Sequence, residues 1–279
     1  MFDGIHLGHN AMLDLLLKIA VEKDLNSAVW SFTSNHHKSQ HFRIISEENR
    51  IQRLKNKELD YLHNVDFIPE ISELNAEEFL DKVLIDQLNV KVVLMGSNAQ
   101  LGKDRHCRAA DFKSLAASKG VQVVLFDLLK VDEKVVSSSS IRIAINSGDF
   151  KGAGSMLGYP WFIEGTVVDG NKMGRTIGFP TANILMEGIV VPPIGVYACT
   201  VNCDKLNLHN LSAIVNIGKR PTLSEEDDIV VEVHIPNWSG DLYKHTLSIS
   251  KFKFIRAEQK FESIDELKKQ IESDIRTSI

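Results

Sequence analysis

Gly165-Thr-Val-Val-Asp-Gly170-Asn-Lys-Met-Gly174-Arg175-Thr-Ile-Gly178-Phe179-Pro180-Thr181-Ala182-Asn183 is the most informative run in the chain. It carries glycines at 170, 174 and 178, and Thr181 and Asn183 follow just past a rigid proline. Glycines so placed let a loop's backbone approach phosphate oxygens closely. Thr181 and Asn183 supply hard oxygen atoms suited to Mg2+, which phosphoryl transfer from ATP requires. The run is not a Walker A loop, because no Gly-Lys-Ser/Thr follows at the required spacing. Glycine and proline also punctuate ordinary β domains, so the loop takes its meaning from its surroundings.

Outward from it, Phe162–Val168, Gly195–Val201, Leu211–Asn216, Ile229–Ile235 and Leu247–Phe254 alternate apolar and polar residues between turn formers. That spacing predicts an antiparallel barrel or sandwich. A closing helix is expected from Ser263 to about Arg276, with Leu267 and Ile271 on one face. The first half has a different rhythm. Strands are expected at Ala28–Phe32, Val65–Pro69, Lys91–Met95 and Val121–Phe126, with helices at Ala11–Lys23, Glu47–Asn56, Asn75–Leu88 and Ala110–Lys119. Asn75 with Glu78 three residues on fits a capping box. This alternation predicts an α/β, doubly wound parallel sheet. The boundary falls near Gly148–Pro160, giving domains 1–157 and 158–279, and 279 residues suit two domains of roughly 150.

Composition excludes several classes. A hydrophobic fraction of 43% and a charged fraction of 25% are those of a globular protein. No apolar run reaches the ~18–20 residues of a membrane span, and Asp14 and Lys18 interrupt the longest early stretch. No secretory signal is visible. Cys107, Cys199 and Cys203 are too scattered for a disulfide framework, which points to a reducing cytoplasm. Net charge −5 gives no electrostatic reason to expect nucleic acid. No pattern fixes an oligomeric state.

The chain opens with Phe2-Asp3-Gly4-Ile5-His6-Leu7-Gly8-His9. Histidines at i and i+3 on one side of a helical turn, just before the Ala11 helix, can donate to phosphate oxygens and stabilise charge built up on an α-phosphate. A bare H-x-x-H is more often a surface turn, but the Phe-Asp-Gly before it and Gly8 within it favour chemistry. Val136-Ser137-Ser138-Ser139-Ser140-Ile141-Arg142 opens a helix late in the same half. Its hydroxyls, free N–H groups and arginine suit a triphosphate, although serines also simply cap helices.

These two motifs, in this order, resemble the adenylyltransferase half of bacterial bifunctional riboflavin kinase/FAD synthetases, whose patterns are F-D-G-x-H-x-G-H and I-S-S-T-x-I-R. Ser139 stands where the family has Thr. The resemblance implies that His6 and His9 stabilise the pyrophosphate leaving group and that Ser137, Ser138, Ser139 and Arg142 bind ATP. The family's strand ending in Gly before Phe-Asp-Gly has no counterpart after Met1, so the gene product is expected to start further upstream or to be truncated. Phe32-Thr33-Ser34-Asn35-His36 replaces F-x-P-H-P, and Gly96-Ser97-Asn98-Ala99-Gln100-Leu101-Gly102 replaces G-x-D-F-x-F-G. The latter loop, with Asn98, is expected to bear on flavin binding, so divergence there acts on FMN before ATP.

The second half resembles riboflavin kinases over residues 158–275. Gly178-Phe-Pro-Thr-Ala-Asn183, Gly195-Val-Tyr-Ala198, Asn216-Ile-Gly-Lys-Arg-Pro-Thr222, Val231-Glu-Val-His234, Asp241-Leu-Tyr243 and Phe254-Ile-Arg256 occur in family order. The resemblance makes Glu232 the base that takes the proton of the ribityl hydroxyl as it attacks the γ-phosphate. It places ATP at Gly170, Gly174, Gly178, Thr181 and Asn183, with Mg2+ on the last two. Tyr197, Trp238 and Phe254 are candidates for the isoalloxazine pocket, although barrel aromatics are core by default. His234 is read as packing or hydrogen bonding, Glu225–Asp228 as a solvated turn, and His36, His37 and His41 as an exposed loop rather than a metal site. The expected function is phosphorylation of riboflavin to FMN and adenylylation of FMN to FAD. One rival keeps only the kinase, with the first half a nucleotide-binding scaffold. The altered loops favour that rival, and His6, His9, Ser137 and Arg142 oppose it. A second rival, a non-catalytic flavin sensor, lacks any helix-turn-helix or basic groove in the sequence.

Overall fold

The computed structural model describes residues 2–33, 42–66, 68–170, 173–186, 188–220 and 228–278. Packing divides the chain into two units, Met1–Gln40 with Glu47–Ser138, and His41–Ser46 with Ser139–Ile279. The expected His36, His37 and His41 loop and the acidic turn at Glu225, Glu226 and Asp227 lie outside the described residues.

The first unit runs α1 (Leu7–Lys23), β1 (Ala28–Phe32), α2 (Glu47–Lys55), β2 (Tyr61–Val65), the single turn α3 (Pro69–Ser72) and α4 (Ala76–Glu78). α4 continues as a π-helical stretch, Phe79–Ile85. Then come β3 (Val92–Gly96), the short antiparallel pair β4 (Gln100–Leu101) and β5 (Cys107–Arg108), α5 (Ala109–Ser118), β6 (Gln122–Phe126), and a second small pair, β7 (Lys130–Val131) and β8 (Lys134–Val135). β1 pairs parallel with β2, and β3 with β6, and a helix connects each pair as parallel strands require. The expected alternation is thus present as two β-α-β units, with no ladder joining the two pairs among the described residues. Asn75 and Glu78 form the anticipated capping box. Two expectations are corrected. β2 lies at Tyr61–Val65 and not at Val65–Pro69, because its polar Asn64 is recruited by a buried guanidinium. Arg50, 2% exposed, donates to Asn64 Oδ1 at 2.8 Å, to Ser31 Oγ and to Glu47. α1 begins at Leu7 and not Ala11, because His6 Nδ1 accepts the His9 N–H and caps the helix.

Beyond residues 41–46, the second unit holds α6 (Ser138–Asn146, from its second residue on) and α7 (Phe150–Leu157), followed by β9 (Phe162–Val168), α8 (Met173–Ile177), β10 (Ala182–Leu185), β11 (Gly195–Cys203), β12 (Leu208–Arg220), β13 (Asp228–His234), β14 (Thr246–Arg256) and α9 (Ile264–Ser278). The strands close a barrel in the order β10-β13-β12-β11-β14-β9, every pairing antiparallel. Ile163, Ile184, Val201, Val215, Ile217, Val231, Val233, Leu247 and Ile249 are buried with it. β10 was not anticipated. Four residues are too few to show a period of two, yet this strand bridges β13 and β9 and so closes the barrel. Arg256 pairs with buried Asp274 at 2.9 Å and ties α9 to the end of β14.

The second unit includes α7, which packs on the barrel. Phe150 stacks on Trp161 with centroids 5.8 Å apart, and meets Tyr197 edge-on. The segment 42–46 joins the same unit: Arg43 bridges Ile189, and Trp161 Nε1 donates to the Ile44 carbonyl at 2.9 Å. Trp161, 2% exposed, therefore combines a large apolar contact with a paired N–H. Trp161→Ala should destabilise this unit by about 3–5 kcal/mol, read as a lower urea midpoint for loss of barrel circular dichroism.

Candidate functional site

In β10, β13 and β12, alternation sends Ile184, Val231 and Ile217 into the barrel, so the residues between them face its outer wall. There Asn183, Glu232 and Asn216 stand directly opposite one another across adjacent strands. Gly170 lies close against one end of this row. A Cβ at Gly170 would sit 2.2 Å from Asn183 Nδ2, and one at Gly174 would sit 2.3 Å from the Phe179 carbonyl oxygen and 3.2 Å from Thr181 Oγ1. Gly178, at φ +93°, makes the reversal that side-chain-bearing residues avoid. His234 braces the turn from β13. Its Nδ1 lies 2.8 Å from the Pro180 carbonyl and its ring meets Phe179 edge-on. A carbonyl only accepts, so that nitrogen carries the proton.

Asn183 is 8% exposed, and its Oδ1 has no hydrogen-bond partner among the described residues. An orphaned buried amide oxygen, with the Thr181 hydroxyl two residues before it in the chain, is a donor set that fits a hard divalent cation. Half-buried Glu232 follows one strand over. Beyond it, Asn216 Nδ2 donates to Glu258 Oε1 at 3.4 Å, and Glu258 occupies the space that a Cβ at Gly218 would fill. In the sequence alone the Asn216-Ile-Gly motif has no evident task. Its signal was a glycine inside a strand, which marks the close approach of another group.

The flavin candidates separate. Tyr197 is 1% exposed, its ring among Phe150, Phe252 and Phe254 and its hydroxyl donating to the Pro193 carbonyl. It supports the wall from within and offers no face to a ligand. Phe254, 54% exposed, does. Trp238 is half-buried, folded over Gly240 in the turn after β13.

In the first unit, a 3-10 turn at Asp3–Ile5 delivers His6 to the N-cap of α1 and His9 to its first turn. Their rings stack with centroids 3.6 Å apart. Burial pushes His6 down to about 4. Burial, then the charge of His6, holds His9 well below its ordinary value. Both are therefore neutral at pH 7. His6 Nδ1 is an acceptor, which leaves Nε2–H to donate, and His9 Nδ1 is buried with no partner among the described residues. Ser138 Oγ donates to the Asp3 carbonyl at 3.1 Å, so the serine run starts beside the histidine turn. Ser137 precedes α6, while Ser139 and Arg142 lie on it, in the part grouped with the second unit. Arg142 Nε donates to the Phe42 carbonyl at 2.8 Å. Asn98 is exposed in the turn after β3.

A carboxylate between two asparagines on a barrel wall and a buried imidazole pair at a helix start suit an ATP-dependent transferase with two nucleotide-handling centres. Family models agree: one described as riboflavin kinase matches residues 157–279, and one described as FAD synthetase matches residues 1–140. The bifunctional riboflavin kinase/FMN adenylyltransferases of Haemophilus influenzae and Bacillus subtilis are 35% and 34% identical, over 99% and 100% of this chain and 91% and 89% of theirs. A solved structure described as a macrolide-efflux protein from Streptococcus pneumoniae matches with a TM-score of 0.84 at 30% identity, over 100% of this chain and 91% of that one. Among the described residues here, no helix is long and apolar enough to cross a membrane. The chain belongs to the bifunctional riboflavin kinase/FMN adenylyltransferase family.

Gly170→Ala drives a methyl into the Asn183 amide and should lower riboflavin phosphorylation at least ~10-fold, with KM for Mg-ATP raised more than KM for riboflavin. The histidine pair gives a pH dependence. The unfolded chain binds a proton on His6 near pH 6.5 that the fold refuses until about 4, so stability falls as pH drops through that window, and the lowered His9 acts in the same direction. The His6 share is roughly 3 kcal/mol. His6→Asn keeps a capping oxygen without the titration, and its stability should change less between pH 7 and pH 4.5 in urea titrations than that of the parent chain.

Proposed function

We propose that this chain converts riboflavin to FMN on the barrel and FMN to FAD in the first half, consuming ATP in both steps, in the cytoplasm. The chemistry divides between residues 158–279 and 1–157. The observation that carries the kinase reading is the cross-strand row, which sets Glu232 beside Asn183 under the glycine loop. Backbone at Gly170, Gly174 and Gly178 approaches the triphosphate, and Glu232 orients the terminal ribityl hydroxyl and takes its proton as oxygen attacks the γ-phosphate. Thr181 and Asn183 would hold Mg2+, which neutralises charge on the phosphate oxygens. Phe254 and Trp238 offer apolar surface to the flavin ring. In the first half, His6 Nε2–H and His9 stabilise pyrophosphate as it leaves the α-phosphate of ATP. Ser137, Ser138, Ser139 and Arg142 hold the triphosphate, and the turn at Asn98 meets the flavin. Three unpaired cysteines, two of them buried, accord with a reducing compartment.

The test is a chromatographic time course with riboflavin and Mg-ATP that resolves FMN from FAD. Glu232→Gln should cut FMN formation by about 10²–10⁴ while flavin still binds. His9→Ala should abolish FAD formation and leave the FMN rate within about twofold. FMN without FAD in the parent chain would favour the kinase-only reading, and equal loss of both products in His9→Ala would refute two independent centres.

A further inference from the structure

Of the three polar residues in the barrel row, Asn216 alone has no task in the reaction described. Its amide has a fixed sense. Nδ2 donates to Glu258 Oε1, and an ionised carboxylate only accepts, so Oδ1 is the end left over. That oxygen is buried with no partner among the described residues. A buried acceptor without a donor is a penalty that folds retain where strain, water or a ligand uses it. Glycine at 218 is what admits Glu258, since a Cβ there would lie 2.3 Å from the carboxylate oxygen. The order along the row is also informative: Asn183 under the glycine loop, then Glu232, then Asn216. With the phosphate donor on the Asn183 side of Glu232, the remainder of the polyol leaves on the Asn216 side. Neighbouring strands stand ~4.8 Å apart, within reach of the next hydroxyls along a ribityl chain.

We propose that Asn216 is a specificity-determining residue of the kinase centre. Its Oδ1 accepts a hydrogen bond from a secondary hydroxyl of the ribityl chain, and Glu258 is the positioning residue that holds the amide in that sense. The inference rests on the reading of Glu232 as the base. It makes the barrel selective for a polyol over an alkyl alcohol carrying the same ring, because a site built to pair a hydroxyl rejects the analogue lacking it.

The experiment measures kcat/KM for riboflavin and for analogues lacking the 2′-, 3′- or 4′-hydroxyl, in the full chain and its variants. The parent chain should disfavour at least one analogue by about 30-fold or more. In Asn216→Ala, riboflavin should fall by a similar factor, that analogue should barely change, and the ratio should collapse to within about threefold, with KM for ATP unmoved. Asn216→Ser, smaller but still polar, guards against a folding defect and should give an intermediate ratio. Glu258→Ala should lose part of the preference, and Glu258→Gln, whose amide oxygen still accepts from Asn216, should recover most of it. Retention of the full preference in folded Asn216→Ala overturns the proposal, as does indifference of the parent chain to all three analogues. If Glu232→Gln makes FMN at the parent rate, the base assignment fails instead, and the substrate ratios in the Asn216 variants still decide the present point.

Discussion

Strand register is the constraint on which the barrel's chemistry depends. Asn183, Glu232 and Asn216 come from strands separated by long stretches of chain, and only the hydrogen-bonded ladders β10-β13-β12 bring them level. A slip of one residue in β13 would turn Glu232 into the core and push Val231 or Val233 into water. Complete burial of those valines therefore secures the position of a carboxylate that contributes nothing to the core itself. The apolar inner face and the polar outer row are two products of one alternation.

Close approach is the second theme. Gly170 against Asn183, Gly174 against Phe179 and Gly218 against Glu258 are all places where one missing methyl lets two segments touch. His234 holds the same turn from behind through the Pro180 carbonyl. The first unit uses a different device. It buries two imidazoles face to face at a helix start, where desolvation keeps them neutral.

Much of this was legible in the sequence, for reasons that differ by residue. Ala28–Phe32 and Phe162–Val168 were placed to the residue, since apolar runs bounded by turn formers leave little freedom. The Asn75 capping box is local chemistry and read directly. β10 escaped because four residues show no period. β2 was misplaced because Asn64 answers Arg50, a partner that only tertiary structure supplies. The glycine loop, Glu232 and the histidine pair stood out because their spacing is contiguous. Asn216 with Glu258 did not, since 42 residues separate them and neither is unusual alone. Tyr197 was a candidate by type, and its burial was decided by α7, whose Phe150 closes over it.

The segment at 42–46 bears on how such a protein can be made and divided. Ile44 precedes Trp161 by 117 residues, yet its carbonyl is the acceptor for the buried indole. During synthesis that short piece emerges early and must wait for the barrel, so the unit closes over a long loop and folds late. A fragment cut between the two chemistries would leave the indole N–H buried and unpaired. The two family matches follow one another along the chain, while the barrel's packing unit also draws on residues 41–46 from within the first of them.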